Sequence, residues 1–520
     1  MEFNNPSEIV KDINFGAQAR DKMLIGVEKL ANAVSSTLGA SGRCVIYEDA
    51  MGKPVITKDG VTVAESVVLQ DPLEGIGATL IKEAAKNTVK EAGDGTTTAT
   101  VLSHAILKSA YKVIDDVSLR DLKSDIDKAA KKVIKHLDSI KVDVTGSMLK
   151  SVANISTNND LELAGVISEA FEAVGDSGVV LMEESDTDIT YADVVDGVQF
   201  DSTLKSPYLI TDQEKERAEL YNPYVLIMDS PIPNIRRIQS ILEYVIKQGR
   251  SLLIVGELEQ QPTQALLMNK VKGNIKINFV DPPGFGPTRK DTLEDLAAIT
   301  GAKVVSEQLG DDVDGLTPDI LGEVEKSVTD SKNTIVTVSN VSEEVKDRLK
   351  QAEAKLKKET NPFFKKKIEQ RVAMLSGKVG VVRVGANSKI ELKEKKDRVE
   401  DAIYAVKAAI KEGIVPGGGI ALLGASNKFL NERSTVGEKV LLEAIKAPFE
   451  TIMKNADMFV MEPQFRKGYG VDVVTGKTVN MINKGIIDPL LVTKTALKNA
   501  VSVSSTIISA DAVISNVRLL

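Results

Sequence analysis

The chain has 520 residues and a formal net charge of −8, with 66 Lys+Arg against 74 Asp+Glu. That balance, with no Trp at all, excludes the basic faces and stacking platforms of a nucleic-acid partner. Cys44 is the only cysteine and His104 and His136 the only histidines, which excludes internal disulfides and Cys/His metal sites, disfavours His-based triads and points to a reducing compartment. Hydrophobic residues make up 42% of the chain, enough for several cores, and the length suggests about three domains. No apolar run reaches membrane-span length, and residues 1–20 lack the apolar stretch of a signal peptide and the Arg-rich pattern of a transit peptide, so neither a membrane contact nor export is expected.

In chain order, Met23, Leu24, Val27, Leu30, Ala31, Val34 and Leu38 recur at helical spacing and predict a helix over 23–38 that stops at Gly39. Short β-rich runs follow at 44–47 and 54–57, the second leading into Thr57-Lys58-Asp59-Gly60, an Asp-Gly turn by composition. Residues 76–137 are almost wholly helical in pattern. They are interrupted by Gly93-Asp94-Gly95-Thr96-Thr97-Thr98, between amphipathic segments 81–92 and 99–114. Two glycines let a backbone approach a ligand, and three hydroxyls open a helix whose first amides lack internal partners, a start that attracts phosphate. Asp94 alone would repel phosphate; it fits there if it holds Mg²⁺, which takes one or two carboxylates plus phosphate oxygens. Asp59, on a separate loop, is a second carboxylate suited to ordering the metal or an attacking water.

From about Val142 the texture changes. Strands are predicted at 179–182 and 189–195, followed by a turn at Asp196-Gly197. Further strands at 225–228, 252–255, 275–280, 304–305 and 335–338 alternate with helical runs, the mark of an α/β module. Pro282-Pro283-Gly284-Phe285-Gly286 reads as a rigid turn with an aromatic tip. A charged helical pair, 343–359 and 363–375, is broken at Asn361-Pro362. After a strand at 379–384 and a charge run at 393–400, Asp401 opens a helix over 402–411, where a carboxylate is favoured by the dipole. Pro416-Gly417-Gly418-Gly419 enters a helix at Ile420, and the rest is helical apart from runs at 471–474 and 478–481. Gly476-Lys477-Thr478 imitates a P-loop, but five residues separate Gly470 from Gly476 where the motif needs four. Helical ends around an α/β middle suggest one domain built from both termini with another inserted.

Thr57–Gly60, Gly93–Thr98, Gly284-Phe285-Gly286, Arg398–Asp401 and Gly417–Gly419, in that order and joined by Asp193–Asp201, Lys393–Lys396 and Asp488-Pro489, resemble the group I chaperonins, the GroEL family, over nearly the whole chain. The resemblance implies an α+β multidomain chaperonin fold. A helical equatorial ATP-binding domain would comprise 1–142 and 413–520, a small α/β intermediate hinge domain 143–196 and 378–412, and a central α/β apical substrate-binding domain 197–377. It implies an ATPase that captures non-native polypeptides and assists their folding through ATP-driven domain movement. By the same resemblance, Asp94 is the Mg²⁺ ligand and Lys58, Gly95, Thr96, Thr97 and Thr98 surround the phosphates. Asp59 and Asp401 are catalytic, the second positioning the attacking water from a mobile domain. Thr37, Leu38 and Gly39 form the nucleotide loop, and Gly418 and Asp488 the base and ribose end. Leu204, Tyr208, Leu209, Leu242, Leu267 and Met268 match the groove for substrate proteins. ATP and Mg²⁺ are the implied cofactors, with K⁺ as a further candidate. The implied partners are unfolded polypeptides, a homo-oligomeric ring that is heptameric in the family, and a co-chaperonin lid, in a bacterial cytoplasm.

The sequence also departs from the family. Ala40 replaces a proline, Lys378 a hinge glycine, Gln239 and Thr263 apolar groove residues, and Asp472-Val473-Val474 the usual Asn/Asp-Ala-Ala. A charged pair near Glu450 and Phe459 is missing, residues 463–468 are shortened, and no Gly-Met-rich tail precedes Leu520. Such drift suits an organelle, viral or secondary copy and predicts an altered ring–ring contact. Two other functions compete: a chaperonin-like holdase or scaffold without cycling, and an ATP-dependent transferase using the same Asp/Thr loop.

Overall fold

Helical periodicity in the first third translates directly into structure. Gly16–Ser35 buries Ala19, Met23, Val27, Leu30, Ala31 and Val34 along one stripe. It starts before the predicted 23–38 and also ends sooner, because Gly39 (φ +85°) lies in the turn beyond it rather than at its cap. The computed structural model describes residues 11–49, 51–157, 159–175, 179–213, 216–284, 287–307, 310–311, 315–338, 342–358, 368, 371–372, 374–375, 377–459 and 466–516. The tip residues Phe285 and Gly286, the break at Asn361-Pro362, most of the helix predicted at 363–375, residues 463–465 and Leu520 lie outside the described residues.

The chain divides into two compact units. The first comprises Met1–Ser168, Glu184–Thr190 and Val384–Leu520. Its core is a bundle in which Gly16–Ser35, Pro72–Ala92, Thr96–Tyr111 and Leu490–Ile508 pack together, burying Leu30, Ile81, Leu102, Ile106 and Leu497. Both ends of the chain therefore share one apolar core. A two-stranded antiparallel pairing of Lys11–Phe15 with Ala512–Asn516 adds to that closure, and Ile414–Pro416 pairs with Ile487–Pro489. The strands predicted at 44–47 and 54–57 form an antiparallel hairpin, Val45–Glu48 with Pro54–Thr57. The P-loop imitation is likewise a hairpin, Tyr469–Asp472 with Lys477–Asn480.

The second unit comprises Glu169–Glu183 and Tyr191–Arg383. One of its sheets runs in the order Val304–Val305, Tyr224–Met228, Leu252–Val255, Ile277–Val280, all parallel, with Gly322–Glu323 antiparallel on Tyr224–Met228. Tyr224–Met228 and Leu252–Val255 are buried along their whole length, as continuous apolar strands covered on both faces must be. A six-stranded sheet has the order Val179–Glu184, Lys378–Val384, Tyr191–Phe200, Thr334–Val338, Lys326–Thr329, Ala218–Tyr221. The turn predicted at Asp196-Gly197 does not exist. Both residues lie inside Tyr191–Phe200, paired with Thr334–Val338 on one side and Lys378–Val384 on the other. The glycine is there for close approach: a Cβ on it would stand 2.7 Å from the Val336 carbonyl oxygen and from Val379 Cγ2.

A second correction bears on the site. Asp401 does not open a helix. Lys389–Glu412 is one continuous helix of 24 residues, capped by the Ser388 hydroxyl, and the charge run at 393–400 belongs to its first half. Asp401 sits mid-helix, beyond the reach of the N-terminal dipole.

Candidate functional site

Helix Pro72–Ala92 ends at Gly93 in the left-handed conformation (φ +83°), and Gly95 (φ +98°) starts Thr96–Tyr111, so two glycines hold Asp94 between two helix ends. Neither position tolerates an L side chain without strain. Gly95 cannot cap the helix with a side chain, and the first internal bond runs from the Ala99 amide to the Gly95 carbonyl at 2.9 Å. The amides of Thr96, Thr97 and Thr98 precede that bond and point out of the helix start. Gly60 abuts Thr97: a Cβ there would lie 2.2 Å from Thr97 Oγ1. The two loops singled out in the sequence are thus in contact.

Asp59 is more than a turn residue. It caps helix Gly60–Ser66, accepting hydrogen bonds from the Val61 amide at 3.0 Å, the Thr62 amide at 2.7 Å and Thr62 Oγ1 at 2.6 Å. Asp94 accepts from the Gly95 amide. Burial and then the charge of Asp59 push the Asp94 carboxyl above its ordinary range, against the Gly95 bond. Asp401 is raised well above it, by burial first and then by Asp94 and Asp59. Asp488 is pushed up to about 7 by burial and by Asp94, although the Gly419 amide opposes this. Among the described residues none of Asp94, Asp401 and Asp488 makes an ion pair. Enclosed carboxylates that raise one another's proton affinity lack a positive charge. Among the described residues no three acidic, Cys or His side chains form a metal cage of their own. The donor set fits a hard cation held by Asp94 with the remaining positions left to ligand oxygens and water.

All of these residues line one cavity of about 1140 Å³ within the first unit, together with Thr37, Leu38, Gly39, Lys58 and Gly418. Asn455 Nδ2 donates to the Ser35 and Leu38 carbonyls at 2.8 and 2.9 Å and pins the Thr37–Gly39 turn. Gly419 lies so close to Phe449 that a Cβ would meet its amide nitrogen at 2.6 Å, and one on Gly417 would meet Asp488 Oδ1 at 3.0 Å. Ile452, Val473, Val474, Met481 and Ile486 add an apolar wall. Asp472 also lines the cavity, and its carboxylate accepts from the Val474 amide at 3.0 Å and Thr475 Oγ1 at 2.8 Å within its own turn. Asn455 and Phe449 were invisible in the sequence, where neither carries a motif.

The groove set behaves differently. Leu204, Leu242 and Leu267 are partly buried against one core of the second unit, and Tyr208 and Met268 are 66% and 58% exposed. Leu209 is a correction: it is fully buried in that core and offers no surface to a partner, because the short 3₁₀ turn Pro207–Leu209 points it inward. Gln239 Nε2 donates to Glu243 Oε1 at 2.7 Å along its own helix.

A helical unit made from both termini, an inserted unit of α/β and sheet structure, and a carboxylate-lined cavity at a glycine-rich helix start define an α+β multidomain chaperonin fold. The TCP-1/cpn60 chaperonin family model matches residues 30–518, and the chain belongs to that family. Among solved structures, it resembles the chaperonin gp146 from bacteriophage EL 2 (Pseudomonas aeruginosa), crystallised in the presence of ATP-BeFx. One crystal form gives a TM-score of 0.70 at 21% identity, covering 96% of this chain and 98% of that one. The other gives 0.64 at 21% identity, covering 97% and 99%. No helix among the described residues is long and apolar enough to cross a membrane.

Proposed function

We propose that this chaperonin hydrolyses ATP in the cavity of its first unit and uses the cycle to capture non-native polypeptides and assist their folding. The observation that carries this is the meeting of Asp59, Asp94 and Asp401, from three distant segments, beside the uncapped start of Thr96–Tyr111. The amides of Thr96–Thr98 bind the phosphates, and the Thr37–Gly39 and Gly417–Gly419 turns close around the nucleoside. Asp94 would hold Mg²⁺, which when bound neutralises charge on the phosphate oxygens. Asp401, with its raised proton affinity, accepts a proton from the attacking water, and Asp59 fixes the loop beneath it.

In the wider assignment, 1–142 with 413–520 is equatorial, 143–196 with 378–412 intermediate and 197–377 apical, assembled as a homo-oligomeric ring, a heptamer with a co-chaperonin lid by family likeness. The exposed Tyr208 and Met268 belong to the polypeptide-binding surface, and Leu209 supports it from below. The phage neighbour favours action in a bacterial cytoplasm. The test is Asp401→Ala in steady-state and single-turnover ATPase assays. Turnover is expected to fall about 100-fold while ADP affinity stays within about threefold. Near-normal turnover refutes the assignment. Absence of hydrolysis in the unaltered protein, with aggregation of a denatured client still suppressed, favours a holdase instead.

A further inference from the structure

Asp401, Tyr404 and Ala408 succeed one another at spacings of three and four and share one face of Lys389–Glu412. That face runs along the end of Pro72–Ala92 and the loop that follows it. Ala408 packs with Ala92 and Val492. Tyr404 lies directly on Gly93: a Cβ there would stand 2.4 Å from Tyr404 Cβ and 2.6 Å from its Cγ. Asp401 lines the cavity with Asp94. Gly93 is therefore constrained twice, by its left-handed backbone and by the ring resting on its bare main chain. An aromatic ring is a rigid spacer with only two side-chain torsions. Seated one turn from Asp401, it fixes the separation of the helix from the loop that carries Asp94.

Granted hydrolysis through Asp401 as set out above, we propose that Tyr404 is a positioning residue, its ring on the Gly93 main chain setting how deeply the Asp401 carboxylate enters the cavity. It touches no reacting atom. Removing the ring leaves a gap into which the helix can settle or tilt. Misplacement of a catalytic group by about 1 Å costs on the order of 100-fold in rate.

The experiment compares the full chain with Tyr404→Ala, Tyr404→Phe, Asp401→Ala and the Asp401→Ala/Tyr404→Ala double variant, in single-turnover ATP hydrolysis and ADP calorimetry. Tyr404→Ala is expected to slow hydrolysis about tenfold or more with ADP affinity within about threefold. Tyr404→Phe, which keeps the ring, is expected to restore the rate to within about twofold, and the double variant to be no slower than Asp401→Ala alone. If Tyr404→Ala fails to fold, Tyr404→Leu carries the same expectation, because it keeps apolar volume without the flat ring. A normal rate in Tyr404→Ala or Tyr404→Leu overturns the proposal, as does a Phe variant as slow as Ala, or a further slowing in the double variant. In each of these cases a dead Asp401→Ala leaves the ATPase assignment standing. A fully active Asp401→Ala sinks that assignment instead.

Discussion

Two places in this molecule offer what fold physics treats as a ready anion site, and they differ in how side chains occupy them. In the second unit, Val304–Val305 lies on the opposite side of Tyr224–Met228 from Leu252–Val255, which makes a topological switch point at the carboxyl ends of parallel strands. That crevice is filled by the protein itself. Asp229, just past its strand, pairs with Arg289 at 3.1 Å, and Arg289 also donates to the Asp229 carbonyl at 2.7 Å. Ser306 Oγ donates to Asp229 at 3.3 Å and its amide to Asp311 at 2.9 Å. In the first unit, Gly95 leaves the helix start without a side-chain cap, and among the described residues Asp94, Asp401 and Asp488 make no ion pair. Topology nominates both places. Side-chain pairing separates them: Asp229 in the second unit has its own arginine, whereas Asp94 and Asp401 in the first have their proton affinity raised, by burial and then by neighbouring carboxylates.

The contrast can be broken most decisively at Asp94. Asp94→Asn keeps the shape and removes the charge; Mg²⁺-dependent ATP hydrolysis is expected to fall by at least about 100-fold, measured by phosphate release. Unchanged hydrolysis would mean that the open site is not the working one. Arg289→Met should do the reverse. It leaves Asp229 without its partner and should destabilise the protein by about 2 kcal/mol in denaturant unfolding, with the ATPase rate unaltered. A loss of ATPase there would show the crevice of the second unit to be functional after all.

A further effect is a pH dependence. The Asp488 carboxyl titrates at about 7 in the folded protein against an ordinary 3.8. Between those values the folded state holds a proton that the unfolded state has released. Stability therefore falls as pH rises through that window and levels off above about 7. Asp94 and Asp401 slope the same way. Thermal unfolding of the ligand-free protein should thus show a shallower decline in Asp488→Asn than in the parent, and superimposable profiles would contradict the raised proton affinity of this carboxyl.

The sequence by itself determined whatever is local. Apolar spacing gave the helices of the first unit and the strands of the second, and the six residues from Gly93 to Thr98 marked a helix start, which in the structure has no side-chain cap. The Gly-Lys-Thr imitation at 476–478 could be rejected from spacing alone. Partnership across the chain belonged to the tertiary structure. Asp59 read as a turn residue and is a helix cap; Asp401 read as a dipole-stabilised helix start and is a mid-helix acid made basic by burial and by two other carboxylates. Gly197 read as a turn and is a strand residue between two neighbours, and Tyr404 carried no signal at all until Gly93 was found beneath it. Periodicity and capping depend on residues within a turn or two of each other, whereas burial, repulsion between charges and close approach depend on segments that only folding brings together.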